Sequence, residues 1–145
     1  MQVEPQKLLG RLTTEGIAPA GFVVSAQCNR VPVLEGHTVC VSVELERPAT
    51  AEEIRRAWET YRSLPQELGL PSAPAQPLLL RDEPDRPQPR KDRDAGAGMT
   101  VTIGRVQTCP VFGLKFVALG SNTIRGAAGG SLALAELLKA QGYLA

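Results

Sequence analysis

The sequence predicts an α+β domain, a mostly antiparallel sheet with helices packed on one face, and three observations carry that expectation. Residues 37 to 46 alternate apolar and polar side chains. Thr50 opens a helix-capping signature. Two β-prone runs, Met99 to Gln107 and Phe112 to Leu119, lie either side of a brief turn containing Pro110 and Gly113. Strands and helices interleave without an internal repeat, as in layered α+β units.

Taken in order, Leu8, Leu9 and Leu12 stand at helical spacing and Gly16 closes the pattern, so a short helix is expected there, one that Met1 cuts into. The run from Phe22 to Asn29 favours a strand. After a turn stiffened by Pro32, a second strand begins at His37, with Val39, Val41, Val43 and Leu45 on one face and Thr38, Ser42, Glu44 and Glu46 on the other. Thr50 and Glu53 have the spacing of a capping box, and Ile54, Trp58 and Tyr61 share one face of the helix that follows. Residues 64–98 are Pro-rich and carry balanced charge, with Arg81, Arg86, Arg90, Lys91 and Arg93 against Asp82, Glu83, Asp85, Asp92 and Asp94. An ordered excursion around a short strand, Pro77 to Leu80, is expected. The β-prone pair near residues 99–119 reads as a hairpin. A final helix should be capped by Asn122 or Thr123, packed through Ala127, Ala128, Ala135 and Leu138, and ended near Gly142.

The 145 residues suit a single domain over 1–145, able to bury roughly 68 to 70% of the surface of the unfolded chain. Charged residues make up 21% and the formal net charge is +1, so nothing points to nucleic acid. The charges of the Pro-rich stretch cancel and no aromatic interleaves them, unlike an RNA-binding segment. The apolar run VFGLKFVALG is interrupted by Lys115 and too short to span a bilayer. The opening residues have neither a signal-peptide nor a transit-peptide pattern, and three cysteines form no disulfide framework, so a cytoplasmic chain is expected.

Chemistry concentrates around His37, the one histidine. Arg30 ends one expected strand and His37 begins the next; were those strands antiparallel neighbours, guanidinium and imidazole would emerge at one rim and converge on a small anionic ligand. Arginine matches a carboxylate bidentately, and histidine moves protons near neutral pH. A solvated strand-end charge beside a rim histidine is the plainer alternative. Cys28, His37 and Cys40 do not have zinc-site spacing, so no metal is expected, and no cysteine has the flanks of an activated nucleophile. In SNTIRGAAGG, an amide, a hydroxyl and small residues open a helix where a polar ligand could approach, or where glycines merely allow tight packing.

Together, SAQCNRVPVLEGHT, LPSAP, EPDRPQPRKDRDAG and SNTIRGAAG resemble, in order and spacing, the C-terminal dimerisation and substrate-binding domain of aspartate-semialdehyde dehydrogenases of the archaeal and fungal type. The resemblance covers nearly the whole chain. It implies that Arg30 holds the substrate carboxylate, that His37 is the general acid/base, and that Asn122 and Thr123 approach the nicotinamide end of NADP. It also implies a homodimer or homotetramer. The family reaction is NADPH-dependent reduction of aspartyl phosphate to aspartate semialdehyde, through an acyl-thioester, on the route to lysine, threonine and methionine. The glycine-rich cofactor loop and the Asn-Cys-Ser/Thr nucleophile motif are absent and are expected upstream of Met1, as is a substrate-binding Glu-x-x-Lys to which Glu4 and Lys7 do not correspond. The family type reads Ser-His-Asn where this chain has Gly120, Ser121 and Asn122. Alone, the chain is expected to be inactive. A dimerisation module without catalytic duty is the alternative reading.

Overall fold

A computed structural model describes residues 3–144. The chain forms two compact units, Met1–Pro32 and Val33–Ala145.

In the first unit, Pro5 sits in the first turn of α1 (Glu4–Leu8), where its missing N–H costs nothing. The expected helix does not run on to Gly16, and its relation to Met1 lies outside the described residues. Leu12 belongs instead to β1 (Arg11–Thr13), which pairs antiparallel with β2 (Gly16–Ala18). Two residues decide this. A Cβ on Gly10 would lie 2.4 Å from the Ala18 carbonyl oxygen, so glycine lets the returning strand approach; Gly16, at φ +125°, closes the two-residue turn. The expected strand from Phe22 to Asn29 is also absent. A strand needs ladder partners, and the Phe22 carbonyl instead accepts a bond from Gln6 Nε2 at 2.7 Å, while Val23 is 94% exposed.

The second unit is built on a four-stranded sheet. The alternating run forms β3 (His37–Val43), which stops three residues short of the expected Glu46; the short strand of the excursion is β4 (Leu78–Arg81), and the hairpin consists of β5 (Val101–Cys109) and β6 (Gly113–Gly120). Their spatial order is β3-β6-β5-β4, antiparallel except for the β4–β5 pair, which bears out the α+β, mostly antiparallel reading. A bulge between Gly104 and Gln107 adjusts the hairpin register.

Helix α2 (Ala51–Glu59) starts as the sequence predicts. The Glu53 N–H donates to Thr50 Oγ1, and the Thr50 N–H donates to the Glu53 carboxylate at 2.8 Å, which lowers the carboxyl's proton affinity. Trp58 meets the ring of Phe116 edge to face at 4.9 Å. Cross-strand register puts Phe116, Ala118 and Ile103 on that face of the sheet.

The opposite face holds the fully buried Leu119 and Thr102, and the excursion covers it. A Cβ on Gly104 would lie 2.5 Å from the Arg86 carbonyl oxygen, so only glycine admits the backbone there. Between α3 (Leu64–Glu67) and β5, the excursion carries β4 and α4 (Pro89–Asp92). Its anchor is the buried Asp92. That carboxylate accepts from Arg86 Nε at 2.7 Å, from Arg86 Nη2 and from the Gln88 N–H at 2.7 Å, with Arg81 Nε 3.4 Å away. Burial by itself would raise its pKa; the Arg86 and Gln88 bonds and the two cationic neighbours outweigh this, and the net shift is downward.

The last helix, α5 (Gly129–Ala140), follows a π-turn over Ile124–Ala128. Its expected packing surface needs correction. Ala127 and Ala128 belong to the π-turn and are exposed, as is Ala135, whereas Gly129, Ala133 and Leu137 are part-shielded alongside Leu138. A Cβ on Gly129 would come within 2.6 Å of Met99 Sδ. The helix ends in a Schellman arrangement: the Tyr143 N–H donates to the Leu138 carbonyl, and the Gly142 N–H to that of Lys139.

Candidate functional site at the rim of β3 and β6

His37 is the first residue of β3 and pairs with Gly120, the last of β6. It is exposed, and the position opposite presents no side chain; even a Cβ on Gly120 would meet nothing nearer than Val101 Cγ2 at 3.9 Å. The imidazole therefore stands at an open corner of the sheet.

One residue earlier, buried Gly36 adopts φ +106°, a conformation that side chains disfavour. Its N–H donates to Asn122 Oδ1 at 2.7 Å, across 86 residues of sequence. Next to it, Glu35 forms a 4.0 Å ion pair with Arg93. The sequence-predicted residues His37 and Asn122 thus share one end of the sheet.

Asn122 does not cap the final helical segment, contrary to the sequence expectation, and neither does the Thr123 side chain. Ser121 takes that role: its Oγ accepts the Ile124 N–H at 3.1 Å and lies 3.5 Å from Thr123 Oγ1. The Gly126 N–H donates to the Ser121 carbonyl, the wide spacing of a π-turn. A small buried serine between Gly120 and Asn122 therefore pins the loop internally, and the Asn122 side chain is left to face Gly36.

Arg30 belongs to the first unit, where it is exposed on backbone outside any strand; the expectation that it ends a strand is not met. Cys109 also departs from a catalytic pattern. Backbone N–H groups of Phe112 and Val111 turn onto its sulfur and lower its pKa, but it is buried. It pairs with Gly113, the end of β6 opposite Gly120, so seven residues of strand, about 23 Å, separate it from the His37 rim.

Gly36 and Ser121 are the site residues that sequence reasoning missed. A glycine directly before a strand-opening histidine was the available signal for the first, since it marks a backbone position that other residues tolerate poorly.

A family model described as semialdehyde dehydrogenase, dimerisation domain, matches residues 1–125. The chain belongs to that family. The match to this dimerisation domain takes in Arg30, His37, Asn122 and Thr123, and stops before α5. Among curated proteins, the aspartate-semialdehyde dehydrogenase of Methanothermobacter thermautotrophicus is 48% identical over 140 residues, spanning 95% of this chain and 40% of its own length. That of Cryptococcus neoformans is 44% identical over 148 residues, spanning 97% of this chain and 40% of the relative. A crystal structure of aspartate semialdehyde dehydrogenase with NADP from Candida albicans superposes with a TM-score of 0.90 at 41% identity, over 99% of this chain and 42% of that one. The chain thus spans about 40% of the length of these relatives.

Proposed function

We propose that this dimerisation domain is the C-terminal part of an aspartate-semialdehyde dehydrogenase, working with NADP on aspartyl phosphate and aspartate semialdehyde. The supporting observation is the meeting of His37 with the Asn122 loop at one end of the β3–β6 pair, joined through Gly36.

In this reading His37 is the acid/base. Its exposure lets it exchange protons with solvent between turnovers, and the bare Gly120 opposite leaves room for a substrate. Arg30 holds the substrate carboxylate through its planar guanidinium. Asn122 and Thr123 approach the cofactor; the half-buried amide of Asn122 and the adjoining small residues suit a flat, polar ring. NADP, when bound, accepts or supplies the hydride. The nucleophilic cysteine and the dinucleotide-binding domain come from sequence outside residues 1–145, and the working assembly is a homodimer or a homotetramer built on this domain. Its product, aspartate semialdehyde, lies on the route to lysine, threonine and methionine, which is the metabolic role in this reading.

The test joins this chain to the N-terminal part of the Methanothermobacter relative and follows phosphate-dependent NADP reduction with aspartate semialdehyde. His37→Ala should lower the rate roughly 10²- to 10⁴-fold. An unaffected His37→Ala rate would overturn the catalytic assignment. A well-folded fusion that dimerises without activity would instead favour a non-catalytic dimerisation module.

A further inference from the structure

Residues of α2, β4, the π-turn and α5 line a cavity of about 430 Å³ in the second unit, one that the proposed catalysis does not use. Its volume is in the range of small-molecule sites. Trp58 in α2 and Tyr61 just past its end stand three residues apart and so share one side of the helix. Leu78 and Met99 add apolar surface, and Ala133 and Arg125 line it from α5 and the π-turn.

The polar groups of this cavity divide into those already committed and those left over. Gln66 donates through Nε2 to the Pro74 carbonyl at 3.1 Å, and its Oε1 accepts from the Ser63 hydroxyl. Arg125 spends only Nη1, on the Met99 carbonyl at 3.1 Å, which leaves most of the guanidinium donors unused. No acidic residue lines the cavity, and among the described residues Arg125 has no ion-pair partner. Glu136, one turn beyond Ala133 on α5, is unable to serve: its carboxylate accepts from the Ser72 N–H at 2.9 Å and from the Ser72 hydroxyl at 2.8 Å. The Trp58 indole N–H and the Tyr61 hydroxyl likewise have no protein partner among the described residues. Arg125 and Tyr61 are exposed, so solutes reach both from water.

A cation without a counter-ion, set beside aromatic and methionine side chains, complements a solute with an anionic head and an apolar body. We propose that this cavity binds a small organic carboxylate, whose oxygens accept from Arg125 while its apolar part lies against Trp58, Tyr61 and Met99. The planar guanidinium fork matches a carboxylate. Arg125 is the single cation of the lining, so a monoanion is neutralised there and a phosphate dianion is not. Neither His37 nor a cofactor takes part, so the site is independent of the function proposed above.

Trp58 is the one tryptophan of the chain, and its fluorescence therefore reports on this cavity directly. The probes are 3,3-diphenylpropionate and its neutral amide, which share one apolar body and do not absorb where tryptophan is excited. In the 145-residue chain the carboxylate should change Trp58 emission saturably and bind about tenfold more tightly than the amide, as expected of a charge-assisted bond partly screened by water. Arg125→Gln should bring acid and amide to the same affinity, and Arg125→Lys should keep most of the preference. Ala133→Phe, which fills the cavity, should abolish binding of both probes, with urea unfolding as the check that the fold is kept. Should that variant not fold, Ala73→Leu, which also narrows the cavity, replaces it and should weaken both probes.

Equal affinity for acid and amide in the wild type, or a preference that survives Arg125→Gln, would overturn the role of the charge. Absence of saturable binding, or binding that survives the filled cavity, would overturn the site itself. The fusion described above should bind the carboxylate as the 145-residue chain does, read by ligand-observed NMR. Loss of binding there would mean that the rest of the longer protein covers the cavity, and would refute a ligand site; an inactive fusion that still binds would count against the catalytic reading alone.

Discussion

Asp92 and His37 show two opposite uses of a polar residue in one unit. Asp92 is sealed from water and spends its oxygens on Arg86 and the Gln88 N–H, with Arg81 alongside. His37 is exposed at the corner of the sheet, one residue after Gly36, whose N–H is taken by the Asn122 side chain. A buried charge whose bonds are all internal serves architecture, because its partners would be stranded without it. A polar side chain at an open rim with bonding capacity left over can meet water or a ligand without leaving a buried partner stranded. On residue types alone the charge-dense excursion and the rim look equally functional, and it is the destination of each hydrogen bond that separates them.

The largest effect should therefore come from the residue with no proposed chemistry. Asp92→Asn leaves the Arg86 and Arg81 charges without their buried counter-ion and should destabilise the second unit by about 3–5 kcal/mol, read from urea unfolding. The pH dependence has a definite sign. Because the folded pKa is lowered, the stabilisation is complete above the unfolded carboxyl value, about 3.9, and is lost as pH falls through the folded value. Asp92→Asn should remove that part of the acid sensitivity; an unchanged acid-unfolding curve would mean that the cage contributes little.

A smaller loss tests a purely local device. Thr50→Ala removes the acceptor for the Glu53 N–H at the start of α2 and should cost about 1 kcal/mol in the same unfolding assay. No change would mean that the Trp58–Phe116 contact alone holds the helix in place.

The smallest stability effect belongs to His37→Ala, within about 0.5 kcal/mol of wild type, since the side chain is exposed and opposite a glycine. A loss approaching that of Asp92→Asn would erase the distinction between rim and cage and count His37 as architecture.

What could be read from the sequence follows interaction range. The α2 cap, the β3 alternation and the β5–β6 hairpin depend on neighbours within a few residues, and each stands where the spacing puts it. The strands expected to bear Arg30 and His37 as neighbours did not both form: the Phe22 to Asn29 run has β-prone residues, but propensity cannot supply a ladder partner. Leu12 was misread for a similar reason, since helical spacing among three leucines does not reveal that β2 must pass close over Gly10.

The sequence by itself determined the α+β class, α2, β3, β4 and the β5–β6 hairpin, and the residues that carry the family resemblance, because periodicity, capping and turn chemistry are written in adjacent positions. Only the tertiary structure decided that Asn122 holds Gly36 rather than capping a helix, and that Asp92 is sealed rather than solvated. Those outcomes depend on partners brought together by the sheet, and a hydrogen bond spanning 86 residues leaves no trace in the spacing of either end.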